Sequence, residues 1–293
     1  MSTEATHDAG ADAVSGEAVS TPETHVPAGN GFARDVWVNF KRWNLKAVRN
    51  PFVVVGSVVQ PVIFLLLFSQ VFGGVVEGAL SGRGGAGGLD YITYLVPAIV
   101  IQVAIISAAA SGIGLVNDME RGLYTKVLVS PMHRGAVFLG KTLSELFRIG
   151  IQVVIIMALG WLLGAEYAGG LASVPVIIAV AMLFSLWFTA FSNVVAIVTQ
   201  NTESTIVMTN LLVFPLLFVS SAFLPTESMP GWLQTVADLN PITYGVDAVR
   251  TLVVEGWAWD SLLPAVAVLL VLDLVFGAVG VYFLNRATSA KAK

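Results

Sequence analysis

Long apolar stretches, separated by short polar segments, dominate the chain. A helix that crosses the hydrocarbon core of a bilayer needs about 20 mostly apolar residues. Six stretches meet this requirement, at residues 52–72, 92–116, 143–165, 174–198, 205–224 and 262–284. Within the second stretch, the small residues SAAASG (107–112) favour the close approach of a neighbouring helix. The pattern predicts an all-α integral membrane protein with six transmembrane helices in one domain, residues 51–286.

The composition supports a membrane location and excludes several other classes. Of 293 residues, 56% are hydrophobic and 12% are charged, whereas a soluble domain carries roughly a quarter charged residues. The chain contains no cysteine, which excludes disulfides and thiolate metal sites. Residues 1–32 hold five acidic residues and no Lys or Arg, so we expect a disordered acidic tail. This tail lacks the basic start and the apolar run of a signal peptide.

The Lys and Arg residues are distributed unevenly between the two sides of the predicted bundle. One side receives twelve, namely Arg34, Lys41, Arg42, Lys46, Arg49, Arg121, Lys126, Arg134, Lys141, Arg286, Lys291 and Lys293. The alternate loops receive two, Arg83 and Arg250. Because cytoplasmic loops are enriched in Lys and Arg, both termini, including the tail at 287–293, are predicted to be cytoplasmic in the cell (plasma) membrane. The loop 117–141 is then the longest cytoplasmic loop, and 225–261 is the longest external one.

The segment 33–50, before the first apolar stretch, is predicted to form an amphipathic helix on the membrane surface. At helical spacing Val36, Phe40 and Trp43 share one face, and most of the basic residues lie opposite. Aromatic residues on one face and basic residues on the other are typical of helices at the headgroup boundary. The alternative is a basic flank that only sets the orientation of the chain.

Two short helices are predicted in the external loop 225–261. Asn240 followed by Pro241 is a typical helix start, and Gly256 is a typical stop. The helix at 241–254 is too short to span a bilayer and too polar for lipid, whereas the Trp residues of this loop suit an interface. We therefore expect re-entrant helices that cap or enter the outer leaflet, with a simple external loop as the alternative.

The stretch GAVFLGKT, residues 135–142, matches the nucleotide-binding pattern G-x-x-x-x-G-K-[ST] letter for letter. A phosphate loop follows a buried strand, and its variable positions favour small residues whose backbone amides can surround the phosphate. Here those positions hold Ala, Val, Phe and Leu, and no alternation of strands and helices surrounds them. The match is therefore interpreted as the cytoplasmic foot of the third span, where Lys141, Glu145 and Arg148 share a helix face and can pair.

Asp273 is the one acidic residue deep inside an apolar stretch. Such residues are costly in a membrane and are functional candidates by default. The alternative is a packing residue that is hydrogen-bonded to Ser or Thr of another span. A proton-coupled secondary transporter could use Asp273 together with the Glu145 and Arg148 pair. A membrane-embedded enzyme is disfavoured, because no apolar stretch contains His or Cys.

Two segments resemble those of ABC type-2 exporter permeases, especially the daunorubicin-resistance-like group. The segment NDMERGLYTKVLVSPMHRGAVFLGK (117–141) is similar to that family's cytoplasmic loop, which carries E-R-G, then S/L-P, R and a G-K or G-R foot. The matching residues are Glu120, Arg121, Gly122, Ser130, Pro131, Arg134, Gly140 and Lys141. The segment LNPITYGVDAVR (239–250) resembles the family's N-P-x-T-Y-x-x-D-x-x-R pattern at Asn240, Pro241, Tyr244, Asp247 and Arg250.

The resemblance implies a transmembrane permease subunit of an ABC exporter that binds no cofactor itself. Two permease halves, either two copies of this chain or this chain and a sister chain, would meet two ATPase subunits that bind ATP and Mg²⁺. The loop 117–141 would contain a coupling helix that docks on the ATPase, with a solvated charged loop as the alternative. Docking contacts are expected from Asp118, Glu120, Arg121, Pro131, Arg134 and Lys141. The expected substrate is a drug, lipid or glycan that leaves the cytoplasm, and membrane lipid but no nucleic acid is an expected partner.

Overall fold

Helices form all the regular secondary structure in the described part of the chain. The structure is a computed structural model that describes residues 31–81, 91–122, 132–223 and 225–290. Its α-helices are α1 (Phe32–Val48), α2 (Pro51–Ser81), α3 (Tyr91–Glu120), α4 (Arg134–Leu162), α5 (Val174–Thr199), α6 (Thr202–Phe218), α7 (Gly231–Asp238), α8 (Pro241–Arg250) and α9 (Trp259–Ala290). Short 3₁₀ turns occupy Leu171–Ser173 and Thr226–Ser228, and a π-helical turn occupies Thr251–Glu255. The predicted all-α class is confirmed for these residues, whereas most of the predicted acidic tail lies outside them.

Among the described residues, four helical regions are long and apolar enough to cross a bilayer. They are Tyr91–Glu120, Gly135–Leu162, Leu171–Thr199 and Trp259–Phe283. Two further apolar helical segments, Val55–Val71 and Thr202–Phe218, are shorter. Each of the six stretches predicted from hydropathy therefore lies mostly on a helix. The number of membrane crossings itself stays a prediction.

The bounds of α4 and α6 depart from the predicted spans for identifiable reasons. α4 begins at Arg134, several residues before the predicted third span, because GAVFLGKT continues the helix. α6 ends at Phe218, short of the predicted fifth span. The Nδ2 group of Asn240 donates hydrogen bonds of 2.6 Å to the carbonyls of Leu216 and Val219. Because these bonds satisfy the end of α6, the chain leaves the helix there and turns toward α8.

α3 is the central helix and packs against α2, α4, α5, α6 and α8. Nearly all of its residues from Tyr91 to Ala109 are buried. The closest approach is to α5 at Gly112, where a Cβ atom would overlap Ser192. The backbone N–H of Gly112 donates to Ser192 Oγ at 3.0 Å, and that hydroxyl donates to the Ala109 carbonyl at 2.7 Å. The predicted close packing at the small residues is confirmed at this position.

α1 packs along the first turns of α4. The contact is closest at Gly140, where a Cβ atom would lie 2.6 Å from the Val36 carbonyl oxygen and 2.7 Å from Asn39 Cβ. Asp35 and Asn39 are buried on this side, whereas Trp37 is 62% exposed on the outward side. The predicted helix is therefore present, but a polar side of it faces the protein. The outward side, with its indole ring, is the one that a membrane would contact.

Candidate functional site

The candidate site is the segment that joins α3 to α4, together with the residues that hold its two ends. Residues 123–131 of this segment, including Pro131, lie outside the described residues, as does the side chain of Arg134. Both ends of the segment are described, and both contact α1. The site can therefore be built from those two ends.

At the first end, Asp118 on the last turn of α3 pairs with two cations of α1. Its carboxylate accepts hydrogen bonds from Arg42 Nη2 at 2.6 Å and from Lys46 Nζ at 2.7 Å. Asp118 is only 4% exposed, whereas the side chains of both partners are partly exposed. The Trp43 ring lies close to both cations, with Arg42 Cζ 5.6 Å and Lys46 Nζ 4.4 Å from its centroid, which are cation–π distances. Charge-assisted hydrogen bonds of this kind are short and strong, so they tie α1 to α3.

At the second end, His133 precedes α4 and contacts Asp35 of α1. The backbone N–H of His133 donates to Asp35 Oδ2 at 3.0 Å, and the ring Nδ1 lies 3.2 Å from the same oxygen. The Phe32 ring meets the imidazole edge to face at a centroid distance of 6.0 Å. The backbone hydrogen bond from His133 lowers the pKa of Asp35, which therefore stays ionised at neutral pH. We call the Asp118 and Asp35 contacts together the α1 clamp.

Lys141 lies inside the helix bundle and is 3% exposed. Its ammonium pairs with Glu145 Oε1 at 2.9 Å and donates to Ser111 Oγ and, at 3.2 Å, to Asn193 Oδ1. These contacts connect α4 to α3 and α5, and such extra hydrogen bonds offset part of the cost of removing an ion pair from water. The predicted pairing of Lys141 with Glu145 is confirmed. Arg148 joins no ion pair within the described residues.

The whole GAVFLGKT stretch is helical. A phosphate loop would need its backbone amides to converge on an anion, but in a helix most of these amides bond to carbonyls of the preceding turn. The prediction that this stretch begins the helix of the third span is confirmed, whereas its cytoplasmic location stays a prediction. Each residue of its last three has a structural contact: Gly140 packs against α1, Lys141 joins the polar network and Thr142 lines a cavity.

The predicted docking residues occupy different surroundings. Asp118 and Lys141 are buried in contacts within the chain. Glu120 is exposed, and its carboxylate accepts from the backbone N–H and the hydroxyl of Thr202, both at 2.9 Å, at the start of α6. Arg121 is exposed at the turn after α3. Docking by these residues stays a prediction, but the structure gives Asp118 and Lys141 roles inside the chain as well.

The second motif begins α8 as predicted. The Asn240 side chain accepts from the backbone N–H of Ile242 at 2.9 Å, and Pro241 occupies the first helical position. Gly256, at φ +81°, ends the π-helical turn that follows, in a conformation that favours glycine. α7 and α8 are thus the two short helices expected in this loop. Their entry into a membrane stays a prediction.

Asp247 and Arg250 of α8 form a junction with α3 and with the turn after α6. Asp247 accepts from Ser221 Oγ at 2.8 Å and from Arg250 Nη1 at 3.0 Å. Arg250 also donates to the Ser221 carbonyl at 2.8 Å and lies 4.0 Å over the Tyr94 ring. Burial raises the pKa of Asp247, and the Arg250 charge opposes that shift. Tyr244 is half-buried and packs against the apolar core, so the motif forms a structural junction. Its partners Tyr94 and Ser221 could not be predicted from the sequence, because neither belongs to a recognisable motif.

Asp273 lines a cavity of about 350 Å³ between α4, α5 and α9. The other polar residues of the lining are Thr142, Thr189 and Asn193. Neither carboxylate oxygen of Asp273 has a hydrogen-bond partner among the described residues. The hydrogen bond from Ser or Thr of another span, which was the alternative expectation for Asp273, is absent among the described residues.

Comparison with known proteins agrees with the two resembling segments. A family model described as ABC-2 type transporter matches residues 34–254. A daunorubicin resistance ABC transporter permease of Streptomyces coeruleorubidus is 29% identical over 215 residues, 72% of each chain. A protein of Cyanophora paradoxa described as a transport permease is 27% identical over 232 residues, 78% of each chain. A protein of Mycobacterium tuberculosis, named for doxorubicin resistance as an ABC transporter permease, is 24% identical over 73% of this chain and 74% of its own. This chain, with its long apolar helices, is a membrane protein that belongs to the ABC-2 type transporter family.

Proposed function

We propose that this chain is the transmembrane permease subunit of an ABC exporter that moves a hydrophobic or amphipathic compound, a drug, lipid or glycan, out of the cytoplasm. Support comes from the family and from relatives that are named as permeases and for daunorubicin or doxorubicin resistance. The chain would lie in the plasma membrane with both termini in the cytoplasm, as its Lys and Arg distribution indicates. ATP and Mg²⁺ would bind to a separate ATPase subunit, present in two copies beneath two permease halves.

The observation that carries the mechanism is the α1 clamp. Both ends of the segment between α3 and α4 are tied to one helix, Asp118 to Arg42 and Lys46, and His133 to Asp35. Movement of a partner against this segment would therefore shift α1, α3 and α4 together. Because α3 is central, that shift would reach its contacts with α5, α6 and α8. ATP binding in the partner would thereby change the balance between inward-open and outward-open arrangements.

The first test is co-purification with an ABC ATPase, followed by transport measurements in vesicles. We expect the two chains to copurify, and we expect transport to require ATP and to be abolished by vanadate. Transport that persists in vanadate and is abolished by a protonophore would contradict the proposal.

A second test reverses two positive charges of the segment with Arg121→Glu and Arg134→Glu in one chain. Because interface charges mainly set specificity and encounter rate, we expect ATPase coupling to be lost while membrane insertion stays normal. The matched control carries Lys41→Glu and Arg49→Glu, which reverse two exposed charges of the α1 region instead. Normal transport and normal co-purification of the first variant would show that the segment does not dock through these charges.

A proton-coupled secondary transporter is the second candidate function. Asp273 favours it, because its carboxylate lies unpaired beside a cavity among apolar helices. This function was also expected to use a pair of Glu145 and Arg148. The structure argues against that pair, because Glu145 pairs with Lys141. The comparison of vanadate with a protonophore separates the two functions.

A further inference from the structure

The carboxylate of Asp273 and the cavity beside it take no part in the proposed exporter mechanism. Both carboxylate oxygens are buried and lack a hydrogen-bond partner within the described residues. A buried carboxylate without a partner is unfavourable, above all inside a membrane. Lys141 precedes the cavity residue Thr142, yet its ammonium pairs with Glu145. This cation is therefore already engaged, and no described residue forms an ion pair with Asp273.

The cavity has the size and lining of a small-molecule site. Its volume of about 350 Å³ falls within the range of about 300–1,000 Å³ that is typical of ligand pockets. A proton would neutralise the carboxyl group but would leave this space empty. The apolar part of the lining consists of Phe138, Leu186, Ala190, Val194, Ile197 and Val281. One carboxylate in a largely apolar cavity suits an organic cation with an apolar body.

The position of the cavity fits entry from the cytoplasmic leaflet. It extends from Phe138 and Thr142, near the start of α4, to Asp273 in the middle of α9. With the proposed orientation, the start of α4 lies on the cytoplasmic side. The cavity is partly open to the outside of the helix bundle. In this orientation, a compound dissolved in the inner leaflet would reach the carboxylate without crossing the bundle.

We propose that Asp273 and this cavity form a binding site for the ammonium group of an amphipathic compound. The protonated amine donates to the Asp273 carboxylate, and the apolar body lies against Leu186, Val194 and Val281. The inference rests on the proposed function insofar as the occupant is a transported compound. A lipid headgroup with a primary amine offers the same chemistry, and the experiment separates the two sources.

The test measures binding of dansylcadaverine, a fluorescent primary amine, against its neutral N-acetyl derivative. The full-length chain is placed in nanodiscs of phosphatidylcholine. A hydrogen-bonded charge pair is expected to make the amine bind about tenfold more tightly than the acetyl derivative. Asp273→Asn is expected to abolish this preference and to leave binding of the acetyl derivative unchanged. Equal binding of the two probes by the unaltered chain, or an unchanged preference in Asp273→Asn, overturns the proposal.

A pair of variants at Gly277 tests the cavity without altering the carboxylate. Gly277 lines the cavity, and a Cβ atom there would meet no atom within 4 Å. Gly277→Phe is expected to fill the space and to abolish binding of both probes, whereas Gly277→Ala is expected to retain both. Unchanged binding in Gly277→Phe overturns the proposal. These variants test whether the probes bind in the cavity even if Asp273→Asn fails to fold.

The lipid composition of the nanodiscs identifies the source of the ammonium group. Probe binding that is unchanged by phosphatidylethanolamine supports a transported compound, whereas competition by this lipid supports the same site with a headgroup as its occupant. The binding assay needs no ATPase. Transport that resists vanadate would therefore contradict only the proposed function. Vanadate-sensitive transport, combined with an amine preference that is unchanged in Asp273→Asn, would overturn only the proposed site.

Discussion

The role of Gly140 is shown by its contacts in the structure and not by the sequence motif that contains it. In the sequence it is the second glycine of a nucleotide-binding pattern, whereas in the structure its missing side chain lets α1 lie against α4. A Cβ atom at this position would lie 2.6 Å from the Val36 carbonyl oxygen. That oxygen belongs to the helix backbone and cannot swing aside as the end of a long side chain does. A substitution at Gly140 therefore acts on the whole of α1.

Gly140→Ala is expected to separate α1 from α4 and to lower the free energy of unfolding by about 1–3 kcal/mol, the usual cost of overpacking. Gly135→Ala is the matched control, because a Cβ atom there would lie 3.9 Å from the Phe32 ring, an ordinary contact. Both variants replace glycine by alanine in α4, so their difference reports on the contact with α1. The measurement is the thermal unfolding temperature of the purified chain. Equal values for the two variants would contradict the close approach.

The charged foot of α4 shows which contacts a sequence can predict. Lys141 and Glu145 are four residues apart, and this spacing alone predicts their ion pair. The other partners of Lys141, Ser111 and Asn193, lie on two different helices. Those contacts depend on how α3, α4 and α5 are rotated and shifted against one another. Packing decides that register, so spacing along one helix cannot predict it.

At the scale of elements, α1 differs most from what its sequence pattern indicates. Helical spacing correctly predicts an amphipathic helix, but it does not tell which face contacts protein. Asp35 and Asn39 are buried against α4 although both are polar. Asp35 is satisfied by the His133 backbone, and the Asn39 amide donates to the Asp35 carbonyl at 2.9 Å. The decisive partner thus lies in a different part of the sequence, where no local pattern points to it.

Asp118→Asn tests the first contact of the α1 clamp. Because an amide lacks the charge that holds Arg42 and Lys46, we expect the free energy of unfolding to fall by about 1–2 kcal/mol. This value is modest because both cations are partly exposed to solvent. We also expect ATP hydrolysis in the complex to continue while transport per ATP falls. Glu203→Gln is the control, since Glu203 is exposed at the start of α6. Equal transport per ATP in both variants would show that the clamp does not couple the two events.

At the scale of the whole molecule, hydropathy predicted the helices well because length and apolar composition are properties of each segment alone. The same reasoning does not reveal which helix is central. α3 is mostly buried in the bundle, whereas α9 is largely exposed, although both have strongly apolar sequences. The exposed apolar side chains of α9 include Leu263, Leu270, Val271, Leu274 and Val275. In a membrane this surface would face lipid or the proposed second permease half. Both surroundings favour apolar side chains, so the sequence pattern does not distinguish them.

Single cysteines test the proposed orientation, and the chain suits this test because it contains no cysteine of its own. Thr235→Cys would lie exposed on α7, and Asn50→Cys would lie exposed between α1 and α2. We expect a membrane-impermeant maleimide to label Thr235→Cys in intact cells and Asn50→Cys only after permeabilisation, and the reverse pattern would contradict the orientation. A cysteine added after Lys293 is expected to behave like Asn50→Cys, because an even number of crossings returns the chain to its starting side. Labelling of this C-terminal cysteine in intact cells would indicate an odd number of membrane crossings and would exclude six spans.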